Sequence, residues 1–139
     1  MTKLALMPPS TILITGCSTG IGYHCAHQLH KQGYQVIATC RQTEDVTRLK
    51  EEGLNCFQLD LTDSHSIDSA LEQILEFTQG KLDALFNNGA FGLPGAVEDL
   101  SLEAMEFQFQ TNVFGTQELT NKVVKILRKN GGGKIIYNS

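Results

Sequence analysis

The residues best placed for chemistry form the stretch Thr15-Gly16-Cys17-Ser18-Thr19-Gly20-Ile21-Gly22, which lies between a β-branched run and an apolar helical stripe. Gly16 permits a sharp turn there, and Gly20 lets the backbone come close to a ligand. Gly22, inside the helix that follows, is expected to let that helix pack tightly against a sheet. The helix start offers free N–H groups and the positive end of its dipole, which suits a pyrophosphate. No Gly-Lys-Ser/Thr follows, which argues against a nucleotide-hydrolysing loop. A structural turn uses the same residue types, but the strand-turn-helix setting favours ligand binding. Further along stand Asp60 in Leu59-Asp60-Leu61-Thr62, then Asn87-Asn88-Gly89-Ala90, then Asn112 in Thr111-Asn112-Val113-Phe114-Gly115. Asp60 suits a strand end or a helix cap, and Asn87 and Asn88 suit a turn because Asn tolerates left-handed backbone. Asn112 is harder to explain locally, since Asn competes for backbone hydrogen bonds in mid-helix.

The elements that position these residues alternate. Thr11–Thr15 reads as a buried strand, and Ile21, Cys25, Ala26 and Leu29 mark a helix ended by Gly33. Tyr34–Cys40 is a second strand, Glu44–Glu52 a polar helix stopped by Gly53, and Leu54–Leu59 a third strand. Ile67, Leu71, Ile74, Leu75 and Phe77 predict a helix over Ser64–Thr78, with Asp63 or Ser64 as its cap. Leu82–Phe86 is a fourth strand. A Gly- and Pro-containing connection, Gly92–Gly95, leads to a long helical region from Ser101 to about Lys129. Gly131-Gly132-Gly133 breaks it, and Lys134–Tyr137 starts a fifth strand. This alternation predicts an α/β fold with a doubly wound, Rossmann-type parallel sheet in one domain spanning residues 1–139. The last residues lie at an apolar strand with nothing to cover it, so the chain is expected to be truncated after that strand.

Length and composition bound the function. The 139 residues fit one domain with a real core. A net charge of −4 argues against a non-specific nucleic-acid binder. No apolar run approaches the roughly 20 residues of a membrane helix, and Met1–Ser10 lacks an apolar stretch suited to an export signal. The expectation is a cytoplasmic protein. The four cysteines, Cys17, Cys25, Cys40 and Cys56, include no C-x-x-C and read as reduced structural thiols. His24, His27 and His30 recur every third residue, but no carboxylate or thiol completes a metal site at suitable spacing. They read as a solvated helix face, and no metal is expected.

Taken jointly, G-x-x-x-G-x-G preceded by Thr15, then Asp60, the Asn-Asn-Gly-Ala loop and Asn112, resemble the short-chain dehydrogenase/reductase family. The resemblance covers essentially the whole chain. Thr15–Gly22 and Ala38-Thr39-Cys40-Arg41 look most like the branch with 17β-hydroxysteroid and retinol dehydrogenases. It implies cofactor-binding roles for Thr15, Gly16, Ser18, Thr19, Gly20, Ile21, Gly22, Asp60, Leu61, Asn87, Asn88 and Gly89. Asp60 would contact the adenine, and Asn87 would also stabilise the sheet. The family usually has Asn-Asn-Ala-Gly; the order differs here, but both positions stay small. Asn112 would belong to the catalytic set, through a helix distortion that frees a main-chain carbonyl to hold a relay water.

An NAD-preferring site of this kind has an acidic residue about 20 residues past the glycines. Cys40 stands 18 residues after Gly22, followed by Arg41. Arg holds a 2′-phosphate that a carboxylate would repel, with Ser18 and Thr19 as nearby hydroxyl donors, so NADP(H) is the expected cofactor. Against this, Arg41 reads as an ordinary surface charge, or as neutralised by Glu44 or Asp45. The resemblance further implies hydride transfer between nicotinamide and an alcohol or carbonyl substrate, by a set of Asn, Ser, Tyr and Lys. Only Asn112 is present; Ser139 aligns with the first of two family serines, and no Tyr-x-x-x-Lys occurs. The chain alone is expected to be inactive. The alternative is a non-catalytic dinucleotide-binding module or decayed enzyme, against which Asn112 argues because a mere binder has no use for it. A methyltransferase is disfavoured by the lack of an acidic ribose ligand at Cys40. Met105, Phe107, Phe109, Val113, Phe114 and Leu119 suit a homodimer or homotetramer interface, or plain core packing.

Overall fold

In this computed structural model, residues 7–139 are described; the reading of Met1–Ser10 as lacking an export signal falls partly outside them. The expected alternation is realised as β1 (Thr11–Ile14), α1 (Gly20–Lys31), β2 (Gln35–Cys40), α2 (Thr43–Glu51), β3 (Asn55–Gln58), α3 (Ser64–Thr78), β4 (Ala84–Asn87), α4 (Leu102–Phe109), α5 (Thr116–Lys129) and β5 (Lys134–Tyr137). The strands form one parallel sheet in the order β3-β2-β1-β4-β5. The chain therefore winds outward from β1 to β3, then returns to β4 beside β1 and winds the other way. The carboxyl ends of β1 and β4 lie at that reversal, the point where an open parallel sheet of this kind presents a ligand crevice.

The central strands β1, β2 and β4 are apolar on both faces because both faces are covered, whereas Ile136 and Tyr137 of the edge strand β5 are exposed. On one face Leu13, Ile37 and Leu85 pack with Ile67, Leu71 and Ile74 of α3 and Leu119, Val123 and Leu127 of α5. On the other, Ile12, Ile14, Val36, Ala38 and Ala84 pack with Ala26 of α1 and Val46 and Leu49 of α2. Each fully buried aliphatic side chain contributes about 1.5–3 kcal/mol, so these two layers hold the sheet that carries the crevice.

Helix ends follow sequence chemistry. Asp63 caps α3 by accepting from the His65 N–H. Gly33 and Gly53 adopt left-handed φ values of 90° and 94° just past α1 and α2. The long helical region is not uniform: Gln110–Gly115 forms a π-type turn between α4 and α5, and the connection before it contains a 3₁₀ turn at Val97–Asp99 that its sequence did not announce. At Gly115 a Cβ would strike the Leu61 carbonyl, so the wide turn lies directly on the backbone that follows β3.

Three expectations need correction. Leu119 of α5 is buried, whereas Met105, Phe107 and Phe109 of α4 and Val113 and Phe114 of the π-type turn are exposed, so these six do not pack as one core cluster. His27 does not lie on a wholly solvated face. Its Nε2 is 2.8 Å from Glu52 Oε2, and its ring meets Tyr23 edge-on. Gly22 has its closest neighbours in the turn and the loop after β4: a Cβ there would strike the Gly16 carbonyl and the Asn88 side-chain nitrogen. Cys17, Cys40 and Cys56 are buried, and all four thiols are free.

Candidate dinucleotide site

A cleft of about 250 Å³ opens at the carboxyl ends of the strands. The loops after the first four strands all contribute: Thr15, Gly16 and Ser18 after β1, Arg41 and Gln42 after β2, Leu59, Asp60 and Leu61 after β3, and Gly89, Ala90 and Phe91 after β4. Asp45 of α2 and Thr111 of the π-type turn complete the lining.

The turn after β1 is locked to the loop after β4. Buried Thr15 accepts from the N–H of Asn88 at 3.0 Å and of Gly89 at 2.8 Å through its hydroxyl oxygen. Asn88 answers with its side-chain nitrogen, donating to the carbonyls of Thr15 and Gly16 at 3.2 and 3.1 Å. Gly16 has φ 66°, and a Cβ on it would lie 2.7 Å from Gly89 Cα. Both the conformation and the space therefore demand glycine. Gly20 differs: its φ is 63°, yet a Cβ would meet nothing within 4 Å. No side-chain cap bond closes the first turn of α1 at Thr19, so its leading N–H groups face outward without an intrahelical partner. Bare backbone, an uncapped helix start and open space are what a dinucleotide pyrophosphate needs.

Arg41 lines the cleft, exposed, and among the described residues its guanidinium has no hydrogen-bond or ion-pair partner. The alternative in which Asp45 neutralises Arg41 is not what the structure shows, since Asp45 bonds Arg48 Nη2 at 2.9 Å. Arg48 Nη2 also donates to the Ser18 carbonyl at 2.7 Å, and Nη1 reaches Glu52 at 3.4 Å. These contacts raise the affinity of Arg48 for its proton, mainly through the Asp45 hydrogen bond. Bonds from Tyr23 and His27 hold the Glu52 carboxyl below its usual range. Arg48 was not singled out in the sequence. Its Asp45 and Glu52 partners at i−3 and i+4 were visible, but nothing local pointed to Ser18.

Asp60 accepts from the N–H and hydroxyl of Thr62 at 2.9 and 2.7 Å through one carboxylate oxygen, so it shapes its own turn while lining the cleft. Leu61, itself buried, contributes to the cleft wall. Asn87 lies out of the cleft, buried, donating to Thr120 of α5 at 3.0 Å. That places it in the joint between sheet and helix. Thr19, Gly20 and Ile21 form the exposed lip at the start of α1, with Ile21 58% exposed.

Asn112 sits in the π-type turn, where a helix distortion was expected. Its side chain bonds the main chain of Phe91 with both polar atoms. This structural use corrects the argument that only an enzyme would keep Asn112, because tethering the loop after β4 serves a binding module equally. Asn138 Nδ2 donates to Asn88 Oδ1 at 2.9 Å, joining the end of β5 to the same loop.

Burial raises the Cys17 thiol to about 12, so it stays protonated beneath the turn as a packing residue. Among the described residues, no helix is long and apolar enough to cross a membrane.

A family model described as short chain dehydrogenase matches residues 10–139. The uncharacterized oxidoreductase YbbO of Escherichia coli K12 is 37% identical over 129 residues, covering 93% of this chain and 48% of that protein. Human retinol dehydrogenase 8 is 38% identical over 141 residues, covering 94% and 44%. A crystal structure of an actinorhodin polyketide ketoreductase variant with NADPH superposes with a TM-score of 0.82 at 27% identity, covering 96% and 54%. The chain thus spans about half the length of the curated relatives it matches.

Proposed function

Because the chain belongs to the short chain dehydrogenase family, we propose that it is the dinucleotide-binding part of an NADP(H)-dependent oxidoreductase acting on an alcohol or carbonyl compound. The observation that carries the cofactor choice is Arg41. It lines the cleft just past β2, unpaired among the described residues, where an NAD-selective site would carry an acid. The polyketide ketoreductase with NADPH supports the same choice by likeness.

The residues present suit the group. The bare turn at Gly20 and the uncapped start of α1 would take the pyrophosphate, with Thr15, Gly16, Ser18, Thr19, Ile21 and Gly22 forming and supporting that cradle. Arg41 would hold the 2′-phosphate as a two-pronged donor. Asp60 and Leu61 would border the adenine, while Asn87, Asn88 and Gly89 fix the loop beside the ribose. A bound dinucleotide supplies hydride donation or acceptance at its nicotinamide ring. Asn112 keeps Phe91 and its loop in place, and the proton-handling Tyr and Lys are assigned to the polypeptide outside this segment. Leu102, Met105, Phe109 and Phe114 form an exposed apolar patch on and beyond α4. We assign that face to a second copy, in a homodimer or homotetramer, and place the protein in the cytoplasm.

The test is a binding comparison on the full polypeptide. NADPH is expected to bind more tightly than NADH, and Arg41→Ala to narrow the gap. An unchanged preference in that variant would remove Arg41 from the site.

A further inference from the structure

Asp45 is the weak point of an NADP(H) site at Arg41. Its carboxylate lines the same cleft, four residues along the chain, at the first turn of α2. Left alone, that carboxylate would repel a phosphate arriving at Arg41 or would take the guanidinium for itself. In the structure the Asp45 carboxylate is held by Arg48 instead, at 2.9 Å.

Arg48 is well held for that task. The same nitrogen that bonds Asp45 donates to the Ser18 carbonyl in the glycine-rich turn at 2.7 Å, thirty residues away. Its other terminal nitrogen leans on Glu52 at 3.4 Å, and Glu52 is itself bonded to His27 of α1 at 2.8 Å. The Tyr23 ring lies beneath, its centroid 5.7 Å from the guanidinium carbon. A planar fork serves several acceptors at fixed angles, which an ammonium cannot do. One side chain thus joins the turn, α1 and the start of α2, and pairs with the acid that lines the cleft with Arg41.

We propose that Arg48 is a positioning residue that sets cofactor specificity: by holding the Asp45 carboxylate it leaves Arg41 free for the 2′-phosphate. This rests on the NADP(H) reading above, and its two contacts predict separable effects. The Asp45 contact bears only on ligands with a 2′-phosphate. The Ser18 contact bears on every ligand that uses the turn.

The experiment titrates the full polypeptide with adenosine 2′,5′-bisphosphate and with ADP, following binding by calorimetry. Arg48→Met is expected to weaken the bisphosphate about fivefold more than ADP, the scale of a partly exposed charge contact. Adding Asp45→Asn to Arg48→Met restores the preference, and Arg48→Lys, which keeps the cation, largely retains it. Equal weakening of both probes, with no rescue by Asp45→Asn, would overturn the proposal and leave Arg48 only as a strut for the turn. Should Arg48→Met fail to fold, Asp45→Asn alone decides: the preference holds or grows if Asp45 opposes the phosphate, and a fall overturns the proposal. A native protein without any preference for the bisphosphate would instead defeat the NADP(H) reading itself.

Discussion

Asn112 pairs with the backbone of Phe91 as a strand would: Oδ1 accepts the Phe91 N–H at 3.0 Å, and Nδ2 donates to the Phe91 carbonyl at 2.8 Å. A side chain in the π-type turn thereby closes the loop that follows β4. Asn112→Leu removes both bonds and leaves the Phe91 amide without a side-chain partner. A loss of about 1–3 kcal/mol is expected for a part-buried pair of this kind. Hydrogen exchange at the Phe91 N–H should accelerate well before exchange in β1 does. Unchanged protection there would show that other contacts hold the loop.

Gly20 and Gly22 are two residues apart and should fail in different ways. A side chain at Gly20 has room but must adopt φ near 63°, so Gly20→Ala should lower stability by only about 1 kcal/mol. Gly20→Val should abolish dinucleotide binding by covering the bare backbone, and retained affinity would make the turn merely structural. Gly22→Ala pushes a methyl group into the Gly16 carbonyl and the Asn88 side chain. It should cost about 3 kcal/mol through overpacking. Thermal melts and binding titrations on both variants separate the two effects.

Cys17 gives a pH signature. Burial lifts its thiol from the usual 9.0 to about 12, so the folded protein keeps a proton that the unfolded chain releases. Its contribution is complete below pH 9 and is lost as pH rises from about 9 to about 12. Cys17→Ala should flatten the fall in melting temperature over that window relative to the native protein. The same thiol should resist alkylation at pH 8, since the thiolate is the reactive form. Parallel pH profiles for the two proteins would show that Cys17 does not titrate with unfolding.

Much of the architecture was legible because it is periodic or punctuated. The α3 stripe from Ile67 onward, the Asp63 cap and the glycines at 33 and 53 carry their structure in neighbouring residues. The cleft is less so. Thr15, Gly16, Asp60, Gly89 and Thr111 stand in motifs, whereas Gln42 and Asp45 line it only because the sheet brings their segment against the others. Asn112 was noticed for its poor fit to a regular helix. Its partner Phe91 lies 21 residues earlier, and no local pattern encodes that bond. The Arg48 bond to Ser18 is not encoded locally for the same reason: it joins two strand-following segments across a crossover.

The strand order bears on how the molecule comes into being. β1 lies between β2 and β4, and the Thr11 N–H on its outer side donates to the Asp83 carboxylate, 72 residues later. At roughly 5–20 residues per second of synthesis, β1 emerges several seconds before the strand that will cover that side. In that interval it can pair only with β2, leaving the Thr11-Ile12-Leu13-Ile14 edge open to other chains. Crowded, rapid expression should therefore divert this protein into aggregates at the nascent stage, and slower translation at lower temperature should recover it.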